Sequence, residues 1–168
     1  IKIIDEFLIS NKISRIYGIL NGTSNFILTK MLTTEKNFNE ILKEAQKLGY
    51  AEADPTFDID GIDTAHKLSI LSSLAFNVDS ELHRIKTEGI RNIDLLDLKF
   101  ADSLGYKIKL LGISEIENRV IKNYVYPCLV EKDNFIANVD GVYNGVVVES
   151  DFCNKSFFQG EGAGSFPT

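Results

Sequence analysis

The sequence lacks the features that mark several large classes of protein. Its 24 acidic residues outnumber the 18 Lys and Arg, leaving a net charge of −6, which argues against a nucleic-acid partner because such binding needs a basic surface. Its two cysteines, Cys128 and Cys153, are too few for a disulfide scaffold and are not spaced as a metal-binding pair. There is no signal peptide and no apolar run of membrane-spanning length. We therefore expect a cytoplasmic protein with reduced thiols and no membrane partner.

The length and composition are those of an ordinary globular domain. A chain of 168 residues with 44% hydrophobic and 25% charged residues suits one domain with a proper core. The chain begins at Ile1 rather than Met, within a stretch that favours helix. This predicts that residues 1–168 are a fragment of a longer protein.

The first part of the chain predicts a helix, a strand and a second helix. Residues 1–11 favour a helix with one apolar side, formed by Ile3, Ile4, Phe7 and Leu8. Residues 14–20 favour a buried strand, and the following run SNFILTKML favours a helix with Thr23 or Ser24 as its N-cap. A strand that turns into a helix exposes backbone N–H groups at the corner, where anions or polar ligand groups bind.

Three more helices and a series of strands follow. The apolar spacing from Phe38 to Leu48 predicts a helix with Asn37 as its N-cap and Gly49 just beyond its end. Further helices are predicted at about 62–76 and 94–104. Strand-like runs then dominate: KIKLLGISEI, RVIKNYVYPCLV, VDGVYNGVVVES and SFFQG. Helices first and neighbouring strands later predict an α+β fold with a largely antiparallel sheet.

One segment, residues 45–67, concentrates acidic residues in a turn-rich stretch. It contains Glu52, Asp54, Asp58, Asp60 and Asp63, and no basic residue before Lys67. A calcium-binding EF-hand loop fits poorly. Aligning Gly61 with the required glycine puts Thr56 at position one and Lys67 at position twelve, where a bidentate Glu is needed. The sequence predicts no metal site here.

Lys67 and Asp63 form the most informative pair of this segment. On a helix they lie about 40° apart, one turn from each other. The same stripe carries Ile70, Leu71 and Leu74, whereas the polar side chains face elsewhere: Thr64, Ser69, Ser72 and Ser73. Lys67 is therefore predicted to project from the apolar side. Two interpretations remain open, a proton donor in a site or a structural ion pair.

The other acidic residues predict a ligand with a positive group. Glu52, Asp54 and Asp58 lie around a turn at Pro55, and carboxylates around a pocket suit an ammonium ion. The alternative is helix capping, since Asp58 or Asp60 precedes the helix that starts near Ile62. We assign the capping role to Asp60 and leave it out of the site.

The same segment resembles the homoserine dehydrogenase signature, a pattern of many fixed positions. The matching residues are Ala45, Gly49-Tyr50-Ala51, Asp54-Pro55, Asp58-Ile59, Gly61, Asp63 and Lys67. The runs GILNGTSNFIL at 18–28 and GEGAGSFPT at 160–168 also resemble that family, so the resemblance covers nearly the whole chain. It implies a mixed, mostly antiparallel sheet with helices packed on one face.

The resemblance also implies an activity and roles for individual residues. Homoserine dehydrogenases interconvert L-aspartate 4-semialdehyde and L-homoserine with NAD or NADP, on the route to threonine and methionine. By analogy Lys67 donates the proton to the substrate oxygen, and Asp63 holds the lysine and the substrate. The remaining implied roles are substrate binding by Glu52, Asp58, Thr23 and Gly22, and cofactor contact by Gly49, Gly162, Ala163 and Gly164.

The sequence departs from the family pattern in what it lacks. The nucleotide-binding domain, a second lysine and a monovalent-cation site belong upstream of position 1, and the terminal glycine-rich turn opens no βαβ unit. Residues 1–168 are thus expected to be the catalytic and dimerisation domain of a homodimer, inactive alone. One alternative is a stand-alone amino-acid-binding regulatory module without redox chemistry. Another is a semialdehyde-type dehydrogenase, but neither cysteine lies in a motif for its nucleophile.

Overall fold

A single mixed sheet organises the computed structural model, which describes residues 2–79 and 81–162. The strand order is β2-β4-β3-β1-β5-β6, and β2 pairs parallel with β4 while every other pair is antiparallel. This confirms the predicted α+β class and the mixed, mostly antiparallel sheet. The strands are β1 (Ile13–Ile19), β2 (Lys86–Thr87), β3 (Tyr106–Glu117), β4 (Val120–Glu131), β5 (Tyr143–Ser150) and β6 (Asn154–Glu161).

The helices lie in the first two thirds of the chain. They are α1 (Gly22–Thr34), α2 (Phe38–Lys47), the single turn α3 (Thr56–Ile59), α4 (Ile62–Phe76) and α5 (Leu95–Ser103), with a π-helical turn at Ile3–Phe7 and 3₁₀ turns at Leu82–Arg84 and Phe135–Asn138. Asn37 and Asp94 close capping boxes at α2 and α5. The predictions for α2, α4 and α5 are confirmed, and Gly49 has the left-handed φ of 77° that follows a helix end. None of the helices in the described ranges is long and apolar enough to cross a membrane.

The helices pack on one face of the sheet. The main core lies between them and the strands, and its fully buried members include Ile27, Met31, Ile41, Leu68 and Val125. On the opposite face the 3₁₀ turn at Phe135–Asn138 covers one end of the sheet with Ile136 and Ala137. The rest of that face carries no helix of the described chain.

Two predictions about the first elements are wrong. The N-cap of α1 is Asn21, whose side chain accepts a hydrogen bond from Ser24 N; the Thr23 and Ser24 hydroxyls donate to other segments. Residues 1–11 do not form a regular helix, since a π-helical turn covers only Ile3–Phe7, and Phe7 is 77% exposed. The wider turn of a π-helix changes which side chains share a face.

The buried side of α4 is also the reverse of the prediction. Thr64 and Ser72 are fully buried, whereas Ile70 is 50% and Leu74 is 38% exposed. The reason is space on β3: a Cβ on Gly112 would lie 3.2 Å from Thr64 Cγ2. The small side of the helix therefore fits closely against the sheet, and Lys67 lies on the outer, partly apolar side.

A buried lysine joins α1 to the sheet. Lys109 Nζ donates to Val139 O at 2.6 Å, Asp140 Oδ1 at 2.9 Å and Asn25 Oδ1 at 3.1 Å. Its side chain is 2% exposed. Burial lowers the pKa of Lys109, and the hydrogen bond to Asp140 opposes that change. Three acceptors satisfy all three N–H donors of the ammonium group.

We predict that Lys109→Met costs about 3 kcal/mol of unfolding free energy, because it leaves the acceptors of a buried ammonium group without a donor. Lys107→Met is the matched control, since Lys107 is on the same strand and pairs with the same Asp140 from a more exposed position. It should cost less than about 1 kcal/mol. Urea denaturation of the two variants measures both values, and equal losses would contradict the assignment.

Candidate active site

Lys67 and Asp63 form an ion pair on the outer side of α4. Lys67 Nζ lies 2.7 Å from Asp63 Oδ2 and also donates to Leu20 O at 3.1 Å. The Lys67 side chain is 46% exposed, so the ammonium group lies at an open surface rather than in an enclosed cavity. Two of its three N–H donors are thus held by the protein, and the third is available to a ligand.

Asn21 connects this pair to Asp58. Its side-chain Nδ2 donates to Asp58 Oδ1 at 2.7 Å and to Asp63 Oδ2 at 2.9 Å. Asn21 is 5% exposed, and its Oδ1 caps α1 through Ser24 N. The three charged groups predicted for the site therefore come together around one buried amide.

Asp58 is held in place by its backbone as well as its side chain. It lies on α3, and its carbonyl accepts a hydrogen bond from Ser24 Oγ at 2.9 Å. Burial raises the pKa of Asp58, with the hydrogen bond from Asn21 lowering it and the charge of Asp63 raising it further. Asp58 makes no capping bond to α4, and Asp60 instead forms a bidentate pair with Arg91. The capping role predicted for Asp60 is therefore wrong.

The structure places Thr23 and Glu52 on either side of a hydrogen bond that holds the acidic loop. Thr23 is buried, and its Oγ1 donates to Tyr50 O at 2.5 Å. Glu52, two residues further on, is exposed, and its backbone carbonyl accepts from Gln46 Nε2. Within the described residues its carboxylate has no hydrogen-bond or ion-pair partner and does not contact Lys67.

The predicted cofactor residues are separated in the chain and only partly described. Gly49 is exposed after α2, and a Cβ there would meet nothing within 4 Å. A Cβ on Gly162 would lie 2.2 Å from Asn144 Nδ2, which itself donates to Leu20 O at 3.4 Å. Gly162 thus approaches the carbonyl that also holds Lys67. Ala163 and Gly164 lie outside the described residues.

Sequence reasoning missed Asn21, Leu20 O and Asn144. For Asn21 a signal was present, because asparagine is among the strongest N-cap residues and stands directly before the helical run. Leu20 acts through its backbone, and Asn144 is 124 residues away from Leu20, so no local pattern could indicate either. Among the described residues, no group of three or more His, Cys, Asp or Glu is arranged to hold a metal ion.

We predict that Asp58→Asn raises the melting temperature at neutral pH. The pKa of Asp58 is raised in the folded state, so the charged carboxylate costs stability above that pKa, and the cost vanishes below the unfolded-state value. The advantage of the amide should therefore disappear as the pH falls through the carboxyl range. Thermal melts of both proteins across that range measure the difference.

Asp54→Asn provides a control of opposite sign. Hydrogen bonds from the Thr56 side chain and backbone lower the pKa of Asp54, which therefore stabilises the fold at neutral pH. This variant should melt below wild type at neutral pH and match it in acid. Equal signs for the two variants would contradict the electrostatic account of the segment.

Comparison with known proteins gives one family throughout. The family model for homoserine dehydrogenase matches residues 1–168. Homoserine dehydrogenases of Neisseria gonorrhoeae and Pseudomonas aeruginosa are 48% and 47% identical over all 168 residues. The chain spans 39% of the length of each of these curated relatives.

Solved structures agree in fold as well as in sequence. The homoserine dehydrogenase of Thiobacillus denitrificans superposes with a TM-score of 0.96 at 49% identity, over 99% of this chain and 38% of that one. A hyperthermophilic archaeal homoserine dehydrogenase in complex with NADPH superposes with a TM-score of 0.79 at 29% identity, over 97% of this chain and 46% of that one. A match over the whole chain, together with these identities, leads to one conclusion: the chain belongs to the homoserine dehydrogenase family.

Proposed function

We propose that residues 1–168 form the catalytic and dimerisation domain of a homoserine dehydrogenase. The complete protein would interconvert L-aspartate 4-semialdehyde and L-homoserine with NAD or NADP, in the biosynthesis of threonine and methionine. The observation that carries the proposal is the Lys67 ammonium group, held between Asp63 and Leu20 O with one N–H open to a ligand. Since such biosynthesis draws on the nicotinamide pool of the cell interior, we place the reaction in the cytoplasm.

Lys67 has the position that a proton donor needs. Reduction of an aldehyde puts negative charge on its oxygen, and an ammonium N–H directed at that oxygen stabilises the charge and delivers the proton. In the reverse direction the same nitrogen receives the proton from the homoserine hydroxyl. Asp63 fixes the ammonium group through its 2.7 Å contact, and Leu20 O defines its second direction.

The carboxylates have the chemistry to bind the amino-acid end of the substrate. The Glu52 carboxylate is exposed and unpaired within the described residues, and Asp58 has one oxygen beyond its bond to Asn21. Carboxylates of this kind bind a substrate ammonium group through charge-assisted hydrogen bonds. At the corner, Gly22 and Thr23 lie in the first turn of α1, where backbone N–H groups have no intrahelical partner. We assign substrate binding to these four residues together with Asp63.

The described residues fit a nicotinamide cofactor at the edge of this site. Gly162 stands where any side chain would collide with Asn144, and Gly49 leaves open space at its surface. When bound, the cofactor supplies or accepts the hydride. We propose that Gly49, Gly162, Ala163 and Gly164 lie against it and that most of its contacts belong to the nucleotide-binding domain of the complete protein.

We predict that Lys67→Ala lowers kcat for homoserine oxidation by about 100-fold to 10,000-fold in the complete protein, because it removes the proton-transferring group. The measurement is homoserine-dependent reduction of NADP⁺ or NAD⁺. Lys43→Ala, an exposed lysine of α2, is the control and should keep wild-type turnover. Near wild-type kcat in Lys67→Ala would remove the proton-donor role. Homoserine binding by wild type without any turnover would instead favour an amino-acid-binding regulatory module.

We further propose that the helix-free face of the sheet pairs two copies in a homodimer. This face carries Tyr17, Ile113, Tyr124 and Tyr126, and the Arg15 guanidinium lies 4.9 Å from the Tyr17 ring centre. Aromatic residues and arginine are enriched at protein interfaces. The residues are half-buried or buried in a single chain, so a second sheet face could cover them with little rearrangement.

We predict that Tyr126→Glu raises the dimer dissociation constant of the complete protein by about 30-fold or more, the size of an interface hot spot. Leu96→Glu is the control, because Leu96 is 58% exposed on α5 away from this face. Sedimentation equilibrium measures both constants. A monomeric wild-type protein, or equal effects of the two variants, would reject the proposed interface.

A further inference from the structure

Asn21 uses every hydrogen-bonding direction of its side-chain amide. Its oxygen accepts from Ser24 N at 2.8 Å, and its nitrogen donates to Asp58 Oδ1 and Asp63 Oδ2. The carboxylates come from α3 and α4, which lie 37 and 42 residues further along the chain. A single buried amide therefore fixes the start of α1 against both acidic residues of the site.

The two bonds to carboxylates are not needed for helix capping. Asn37 caps α2 in the same way, with its Oδ1 accepting from Glu40 N, and it contacts neither site carboxylate. The amide nitrogen of Asn21 thus has a separate role from its oxygen. It places a hydrogen-bond donor between two like charges, whose repulsion would otherwise separate them or favour protonation of one.

The same bonds determine which carboxylate oxygens remain for a ligand. Asn21 takes one oxygen of each group, and Asp63 Oδ2 also receives the Lys67 ammonium. The second oxygen of each carboxylate is left toward the site. A shift of Asp63 would move the Lys67 nitrogen with it, because the two are in direct contact.

We propose that Asn21 is a positioning residue of the reaction: its amide sets the separation of Asp58 and Asp63 and, through Asp63, the place of the Lys67 ammonium group. This inference rests on the function proposed above. Asn21 need not touch the substrate. Its effect is exerted through the groups that do.

The test uses Asn21→Ser and Asn21→Asp in the complete protein, with Asn37→Ser as the matched control. Serine and aspartate both cap helices as well as asparagine does, but neither can donate to two carboxylates at once. We expect kcat/KM for homoserine to fall about 10-fold to 100-fold in Asn21→Ser, the loss of a hydrogen bond to a charged group. Asn21→Asp should fall further because it adds a third negative charge, and Asn37→Ser should stay within about twofold of wild type.

The pH profile separates positioning from a merely structural effect. The groups that face Asn21 or act on Asp58 are Asp58, Asp63, Lys67 and Glu52. The hydrogen bond from Asn21 lowers the pKa of Asp58, so its loss should raise that pKa and move the acid limb of kcat/KM to higher pH. Asn37→Ser should leave the limb unchanged.

Two outcomes would overturn the proposal. Wild-type kcat/KM and an unshifted acid limb in Asn21→Ser would show that the amide only caps α1. So would full activity in Asn21→Asp, which preserves the cap and covers the case in which the serine variant does not fold. If wild type itself lacks homoserine-dependent turnover, the proposed function fails, and carbon-13 NMR titration of Asp58 in Asn21→Asp still decides whether Asn21 controls that carboxylate.

Discussion

The constraint on which the site depends is the polar first turn of α1, where buried side chains must each find a partner. Asn21, Thr23, Ser24 and Asn25 are all at most 5% exposed. Their partners lie on four segments: Asp58 and Asp63, the carbonyl of Tyr50, the carbonyl of Asp58, and the carbonyls of Val139 and Tyr143. Since a buried polar group without a partner costs about 1–3 kcal/mol, this turn holds the acidic loop, α3, α4 and the β5 entry together.

The orientation of α4 makes Lys67 available to a ligand. The helix directs small residues, Thr64 and Ser72, at the sheet, where Gly112 leaves room for close packing. Its outer side then carries Asp63, Lys67 and exposed Ile70. A lysine that is held by two acceptors and still half-exposed has a defined ammonium position and an open side. Both properties are needed by a residue that transfers a proton to a bound substrate.

Local sequence patterns predicted most helices but not how they pack. The cap at Asn37, the glycine after α2 and the bounds of α4 depend on neighbouring residues, so they could be read directly. The buried side of α4 could not, because hydrophobic periodicity ignores the space available on the partner strand. The same limit applies to Asn21, since its partners are distant in the chain.

The sequence alone determined which chemical groups the site contains and how Asp63 and Lys67 relate, because residues four apart on a helix are neighbours in any fold that keeps the helix. It also determined the family, through a signature of many fixed positions. Only the tertiary structure decided what surrounds that pair. Leu20 O, Asn21 and Asp58 reach it from segments up to 47 residues away, and contacts of that range depend on how the helices pack against the sheet rather than on any local pattern.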